Sequence, residues 1–397
     1  MNQRQIALNI LYRTIREESY SNLLMRRQLE QLEPIQRAFT TNLVNGVLRK
    51  YETLNAQFQD QADKNTSFRL RIILCMAFYE RFFLKEKDYV VNNEYVELCS
   101  DKYERSFVNA ILRRNTTFRE PEKEAARANL PEWIYGLLKS QYSEEELKQI
   151  IETYQSIPSI YYRLNRNRCG YEDLKKYEIE RINDEIFTSK KNLLHSPEMK
   201  QGMFYVQDLN SSSLYRHLDL EKGNTLLDVC SAPGSKLFNC LDVIDPKDAY
   251  ANDLHEKRVD LIRKKAETLG FEGVHYLNED GRKLKDVLDV RFDRILLDAP
   301  CSGLGVIGRK PDLKFHIKPE DLDELQVLQL ELLRSMDPLL KENGILLYAT
   351  CTLNRKENGR QIGRFLKENE NYQLMEEDTI LNGSGDCFYY AKLKKVK

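Results

Sequence analysis

The stretch "NTLLDVCSAPGSKLFNCL", residues 224–241, decides the fold. The apolar pair Leu226–Leu227 runs into Asp228, then into a turn carrying Pro233 and Gly234, then into a second apolar segment of helical character. Strand, turn and helix follow one another within eighteen residues. The same order recurs downstream. "DAYANDL" (248–254) leads into "HEKRVDLIRKKAETLG" (255–270), "GVHYLNED" (273–280) follows, and "FDRILLDAPC" (292–301) precedes the long helical run "PEDLDELQVLQLELLRSMDPLL" (319–340). "GILLYATC" (344–351) closes the series. Short apolar strands alternating with amphipathic helices predict an α/β, doubly wound, Rossmann-like sheet over residues 201–397.

Working outward, residues 1–120 read as helical throughout. "RQIALNILYRTI" sets Ala7, Ile10, Leu11 and Thr14 or Ile15 on one face, and Phe39, Leu43, Val47 and Leu54 repeat that spacing further on. The segment fits either a plain helical bundle or a domain that binds RNA or protein. Residues 121–200 change character, from the charged helical "SEEELKQIIETY" to the β-rich "PSIYYRLN", and predict a small α+β connector.

The 397 residues exceed one ordinary core, which implies two or three domains. No apolar run approaches the ~18 residues of a membrane span, and "MNQRQIALNI" lacks a signal peptide's apolar centre. The expectation is a cytoplasmic protein without a membrane partner, a monomer. Eight cysteines never form a C-x-x-C pair, so no metal site is expected and the thiols stay reduced. A net charge of −1 gives no global attraction to a polyanion, so any nucleic acid must be held by local patches such as "RLNRNRCGY", "LIRKKAE" and "GRKPDLK".

In a doubly wound sheet, ligands bind beyond the carboxyl ends of the strands. The loop "DVCSAPGSK" has too few glycines for a pyrophosphate and carries Lys236, which disfavours a dinucleotide. Asp253 ends the second strand about 20 residues after the glycine turn, where a carboxylate grips ribose hydroxyls. Asp280 ends the third, placed to accept from an adenine amino group. Carboxylates in successive βα loops predict an adenosyl cofactor without phosphates, S-adenosyl-L-methionine.

Two strand ends also carry thiols, Cys301 in "DAPC" and Cys351 in "ATC". Cytosine carbon 5 is a poor nucleophile until a thiolate adds to carbon 6, and a second group must later remove the carbon 5 proton. Two cysteines beside the carboxyl group of Asp298 suit that chemistry, one adding and the other assisting release. "DAPC" has no aromatic residue of the kind on which amino-group methylases stack a base.

These segments resemble the RNA 5-methylcytosine methyltransferases of the Sun/RsmB and NSUN family. The resemblance rests on "VQDLNSSSL", "LLDVCSAPGSK", "ANDLHEKRVDLIRKKAETLG", "FDRILLDAPCSGLGVIGRKPDLKF", "GILLYATCTLNRKENG" and "GDCFYYAKL". It implies a class I methyltransferase domain in which Cys351 is the nucleophile and Cys301 the releasing residue. It further implies cofactor contacts from Cys230, Ser231, Ala232, Pro233, Gly234, Ser235 and Lys236, and from Asp253, Asp280 and Asp298, with Lys236 beside the methyl donor. "YSNLLMRRQLEQLEPIQRAFTTNLVNGVLRKYETLN" and "FVNAILRR" resemble the NusB-like domain of the Sun/RsmB branch, which modifies 16S ribosomal RNA.

Ser231 and Ser235 depart from the family's alanine and second glycine, and Thr352 stands where serine is common. Ser235 is expected to strain the loop if its position requires φ > 0, with cofactor affinity altered as a result. The target base must be single-stranded or flipped, with Arg309 and Lys310 expected to hold the neighbouring phosphate. Three other readings stay open: action on another RNA such as tRNA, a DNA-type cytosine methylase using Cys301 as nucleophile, and a non-catalytic ribosome-assembly factor.

Overall fold

The computed structural model describes every residue except Met1, Glu18, Lys64, Asn382 and Lys397. Two compact units divide the chain, one of residues up to Ser156 together with Ile307–Ile317, the other of Ile157–Val306 and Lys318 onward.

The first unit is all-α. Up to Ser156 its helices are α1 (Gln3–Arg16), α2 (Ser21–Gln28), α3 (Pro34–Ala56), α4 (Phe68–Phe82), α5 (Asp88–Glu97) and α6 (Lys102–Arg114), followed by α7 (Glu124–Ala128), α8 (Glu132–Gln141) and α9 (Glu144–Gln155), and the 307–317 segment adds the short helix Leu313–His316. From Ile72 to Phe78 every side chain of α4 is fully buried, which marks α4 as the central helix of the bundle. The predicted stripe of α1 is buried at Ala7, Ile10, Leu11 and Thr14, and α3 turns Leu43, Val47 and Leu54 inward. Inside this core Arg4 pairs with Glu80 at 2.7 Å, and the Tyr95 hydroxyl donates to the same carboxylate, so the buried charge is matched.

The connector expected over 121–200 is divided between the units. Helices α7–α9 belong to the helical unit, and α7 is tied to α3 where Thr53 bonds to Asn129 and to the Ala126 carbonyl, at 3.1 and 2.9 Å. Four strands, β1 (Tyr161–Leu164), β2 (Ile179–Arg181), β3 (Ile186–Ser189) and β4 (Phe204–Val206), form an antiparallel sheet in the order β2-β3-β1-β4 within the second unit. Arg163 holds it there, donating to Asp242 and Glu185 at 2.7 Å each while only 1% exposed.

The principal sheet of the second unit contains β5 (Leu226–Asp228), β6 (Ala249–Asn252), β7 (His275–Leu277), β8 (Phe292–Asp298), β9 (Leu340–Thr350), β10 (Tyr372–Ile380) and β11 (Phe388–Lys395), in the order β10-β11-β9-β8-β5-β6-β7. Strands β9, β8, β5, β6 and β7 run parallel, and the β10–β11 hairpin adds to β9 antiparallel. The predicted Rossmann-like sheet is therefore present. Its strand order reverses between β5 and β8, which opens a crevice at their carboxyl ends. No helix among the described residues is long and apolar enough to cross a membrane.

Candidate active site

Asp228, Asp298 and Cys351 lie at or just beyond the carboxyl ends of β5, β8 and β9. Parallel pairing of β8 with β9 sets Asp298 opposite Ala349, and the Ala299 amide bonds to the Ala349 carbonyl at 2.9 Å. The two thiol loops therefore leave the sheet side by side. Cys301 Sγ lies 3.4 Å from Cys351 Sγ, and both residues are partly exposed. The Gly305 amide donates to the Cys351 carbonyl at 2.9 Å, and a Cβ on Gly305 would stand 2.8 Å from that oxygen and 2.2 Å from the Cys387 carbonyl. Only glycine fits there.

Lys236 donates to Asp298 at 2.5 Å. Burial works against its charge, yet Asp298 and then Cys351 hold its ammonium more basic than a free lysine. Lys236 therefore puts positive potential beside the Cys351 sulfur. The Cys301 thiol is pushed well above the ordinary range, first by its hydrogen bond with Cys351 and then by burial. Two thiols this close do not both ionise.

Beneath the pair lies Glu357, fully buried. Its carboxylate accepts from the Ser302 amide and hydroxyl at 2.9 and 2.6 Å, from Gln329 at 3.0 Å and from Asn354 at 3.1 Å. The Ser302 and Thr352 hydroxyls meet at 2.6 Å. Glu357 thus ties together the residues that immediately follow each cysteine. Sequence reasoning missed it, because "TLNRKEN" reads as a charged surface loop.

The cofactor loop is equally constrained. Gly234 has φ +94°, and a Cβ there would strike the Phe238 ring at 2.6 Å. Ser235 begins the helix Ser235–Cys240, so the left-handed position falls on Gly234 and the expected strain at Ser235 does not arise. Ser231 is buried and its amide bonds to the Asn252 carbonyl at 2.8 Å; Ala232 accepts at its carbonyl from Arg258 at 3.0 Å, and Pro233 is exposed. Burial, then Asp228, pushes the Cys230 thiol far up, out of reach of ionisation. Asp253 is buried and meets Arg258 at 3.4 Å. Asp280 caps the turn after it and is gripped by Arg282 at 2.6 Å, so its carboxylate already has a cationic partner. One further residue, Asn252, is not legible as a site residue in the sequence. Asn252 donates to the carbonyls of Val229 and Glu279, at 2.9 and 3.0 Å, and so fastens the loops after β5 and β7. Asp228, a strand-end position that the sequence already places in the crevice, has both carboxylate oxygens buried without hydrogen-bonding geometry to any partner among the described residues. Burial, then the neighbouring Asp298, raises its pKa to about 7.

S-adenosylmethionine fits this donor set. The buried carboxylate of Asp228 and hydroxyl of Ser231, neither in full hydrogen-bonding geometry with a partner among the described residues, and the second buried carboxylate at Asp253 suit a ligand that carries a sulfonium and an ammonium group. A pyrophosphate would meet repulsion in the same place. Arg309 and Lys310 are exposed on the 307–317 segment, which packs with the helical unit, and so are not part of the compact unit that holds the cysteines.

A sheet with this strand order, and with carboxylates and thiols at its switch point, defines a class I methyltransferase. The sequence description "16S rRNA methyltransferase RsmB/F" matches residues 215–394, and that of the NusB family matches residues 1–117. The probable ribosomal RNA small subunit methyltransferase B of Bacillus subtilis is 30% identical, over 93% of this chain and 89% of its own length. The ribosomal RNA small subunit methyltransferase B of an Enterobacter species is 28% identical over 99% of both. Among solved structures, that of PH0851 covers 98% of this chain and 99% of its own with a TM-score of 0.78 at 21% identity. NSun6 from Pyrococcus horikoshii covers 67% of this chain and 98% of its own with a TM-score of 0.60 at 18% identity. The chain belongs to the RsmB/F family of 16S rRNA methyltransferases, which are S-adenosylmethionine-dependent enzymes acting on RNA.

Proposed function

We propose that the chain methylates carbon 5 of a cytosine in small-subunit ribosomal RNA through a covalent adduct on Cys351. The 3.4 Å contact between the two sulfurs carries this reading. Lys236 favours ionisation of Cys351, and Cys301 remains a thiol that hydrogen-bonds to it. The Cys351 thiolate adds to carbon 6 of the flipped base, and the electron pair moves toward ring nitrogen 3. The Lys236–Asp298 pair faces the charge that develops there. S-adenosylmethionine, when bound, supplies an electrophilic methyl group, and carbon 5 attacks it.

Once Cys351 is a thioether, the largest influence holding the Cys301 proton is gone. Cys301, which is partly exposed, then gives its proton to solvent, its thiolate removes the carbon 5 proton, and the electrons of that bond expel the Cys351 thiolate from carbon 6, so that each cycle releases one proton. Atoms and charge balance over the cycle. The DNA-type alternative, with Cys301 as nucleophile, leaves Cys351 and its Lys236 partner without a task. Asp228, Ser231 and Asp253 are assigned to the cofactor, and Arg309 and Lys310 to phosphates of the RNA.

Bisulfite sequencing of ribosomal RNA from cells with and without the gene tests the substrate. One small-subunit cytosine should resist conversion only when the gene is present. Protection unchanged by its loss overturns the assignment, and protection that moves to tRNA reassigns the substrate.

A further inference from the structure

A groove of about 410 Å³ runs along the helix Glu256–Leu269, outside the crevice described above. Met199, Phe204 and Leu269 line it, together with Leu261, and it ends at Pro233 of the cofactor loop. None of Asp228, Asp253, Asp280 or Asp298 contributes to its lining.

The charges on this helix are sorted. Arg258 and Arg263 are paired with Asp253 and Asp260, at 3.4 and 2.8 Å. Lys264 and Lys265, which line the groove, have no carboxylate partner among the described residues. Lys265 instead lies over the rings of Tyr205 and Phe238, at 5.0 and 5.6 Å, and burial brings its pKa down to about 8, so it is still protonated at neutral pH. Leu261 is 58% exposed, an unusual position for a leucine one helical turn from two unpaired ammonium groups. The helix therefore presents an apolar wall edged with uncompensated positive charge.

An apolar slot beside unpaired ammonium groups matches a ligand with a flat apolar body and an anion attached to it. The family's substrate is a chain of such units. We propose that this groove seats one nucleotide of the RNA substrate other than the target cytosine, its base against Leu261 and Pro233 and its phosphate on Lys264 and Lys265. The assignment rests on RNA being the substrate of the cysteine site. It adds a second point of attachment that fixes the strand relative to the flipped base.

The test uses the full-length enzyme, protein-free small-subunit ribosomal RNA and two variants, Leu261→Asp and the double substitution Lys264→Gln/Lys265→Gln. Steady-state methylation at several salt concentrations is read beside cofactor affinity and thermal stability, and filter binding gives the RNA Kd directly. Both variants should raise KM and Kd for RNA by about tenfold, with kcat and cofactor affinity unchanged. The lysine variant should also flatten the log Kd against log salt slope by about 1, the loss of one to two phosphate contacts. Leu261 is exposed, so its substitution keeps the test open even if the Lys265 variant folds poorly. RNA affinity and salt slope unaltered in both variants overturn the groove. In a parallel assay on small-subunit particles, activity lost there and not on free RNA assigns the groove to protein and overturns the proposal as well. If the wild type transfers no methyl group, the function itself fails, while filter binding still judges the groove.

Discussion

Asp228 ends β5, Lys236 lies in the first turn of the helix that follows, and the two meet opposite fates. Lys236 finds Asp298, whereas Asp228 is buried, has no partner in hydrogen-bonding geometry among the described residues, and has a pKa of about 7, against roughly 3.9 in an unfolded chain. Folding thus favours its protonated form. That contribution to stability is complete below about pH 4 and is lost as the pH rises through about 7. Asp228→Asn should therefore leave the ligand-free enzyme more stable than wild type at pH 8 and no more stable at pH 4, while weakening S-adenosylmethionine binding by about tenfold or more. Urea denaturation at the two pH values, with calorimetric titration of the cofactor, measures both effects. An equal stability difference at both pH values contradicts the account. The carboxylates and thiols at strand ends were legible in the sequence because a strand's carboxyl end is a fixed place in this fold. What Asp280 and Ser235 do there was not, because Arg282 and the φ of Gly234 are settled by local backbone geometry.

At the level of elements, the reacting pair depends on two loops keeping register, and Glu357 does that keeping. It contacts Ser302 on one loop and Asn354 on the other, with Gln329 reaching in from the helix Pro319–Met336. Glu357→Gln preserves shape but places an amide among four donors. The expected loss is about 10- to 100-fold in kcat with RNA KM unchanged, the cost of misplacing reacting groups by a fraction of an ångström. A structural role alone would not alter how fast the two sulfurs cross-link, so the rate of Cys301–Cys351 disulfide formation under a mild thiol oxidant should fall in parallel. An unchanged cross-linking rate removes Glu357 from this role. The strands and long helices could be read from periodicity. A buried glutamate inside a polar heptapeptide could not, since its burial is decided by tertiary packing over the β8 and β9 ends.

For the whole molecule, a helical part and an alternating part were legible in the sequence, but the separate connector expected over 121–200 is divided between the units, and the path of the chain between them was not legible. Residues 307–317 leave the α/β unit six residues after Cys301 and join the bundle. Asp312 accepts from the Ser21 amide and hydroxyl at 2.9 and 2.8 Å, and Lys314 donates to the Asn129 carbonyl at 2.7 Å. Buried anchors of this kind are polar, so a hydrophobic pattern does not reveal them. Arg309 and Lys310 belong to that segment, which puts the phosphate contacts assigned to them on the helical unit. The central claim is nevertheless a bond at one atom, and trapping it on the full enzyme is the most direct measurement. With RNA and S-adenosylmethionine, Cys301→Ala should accumulate an RNA-linked protein that survives a denaturing gel, and mass spectrometry should place the linkage on Cys351. Cys351→Ala should trap nothing. A covalent complex formed by Cys351→Ala, or a linkage found on any other residue, contradicts the account.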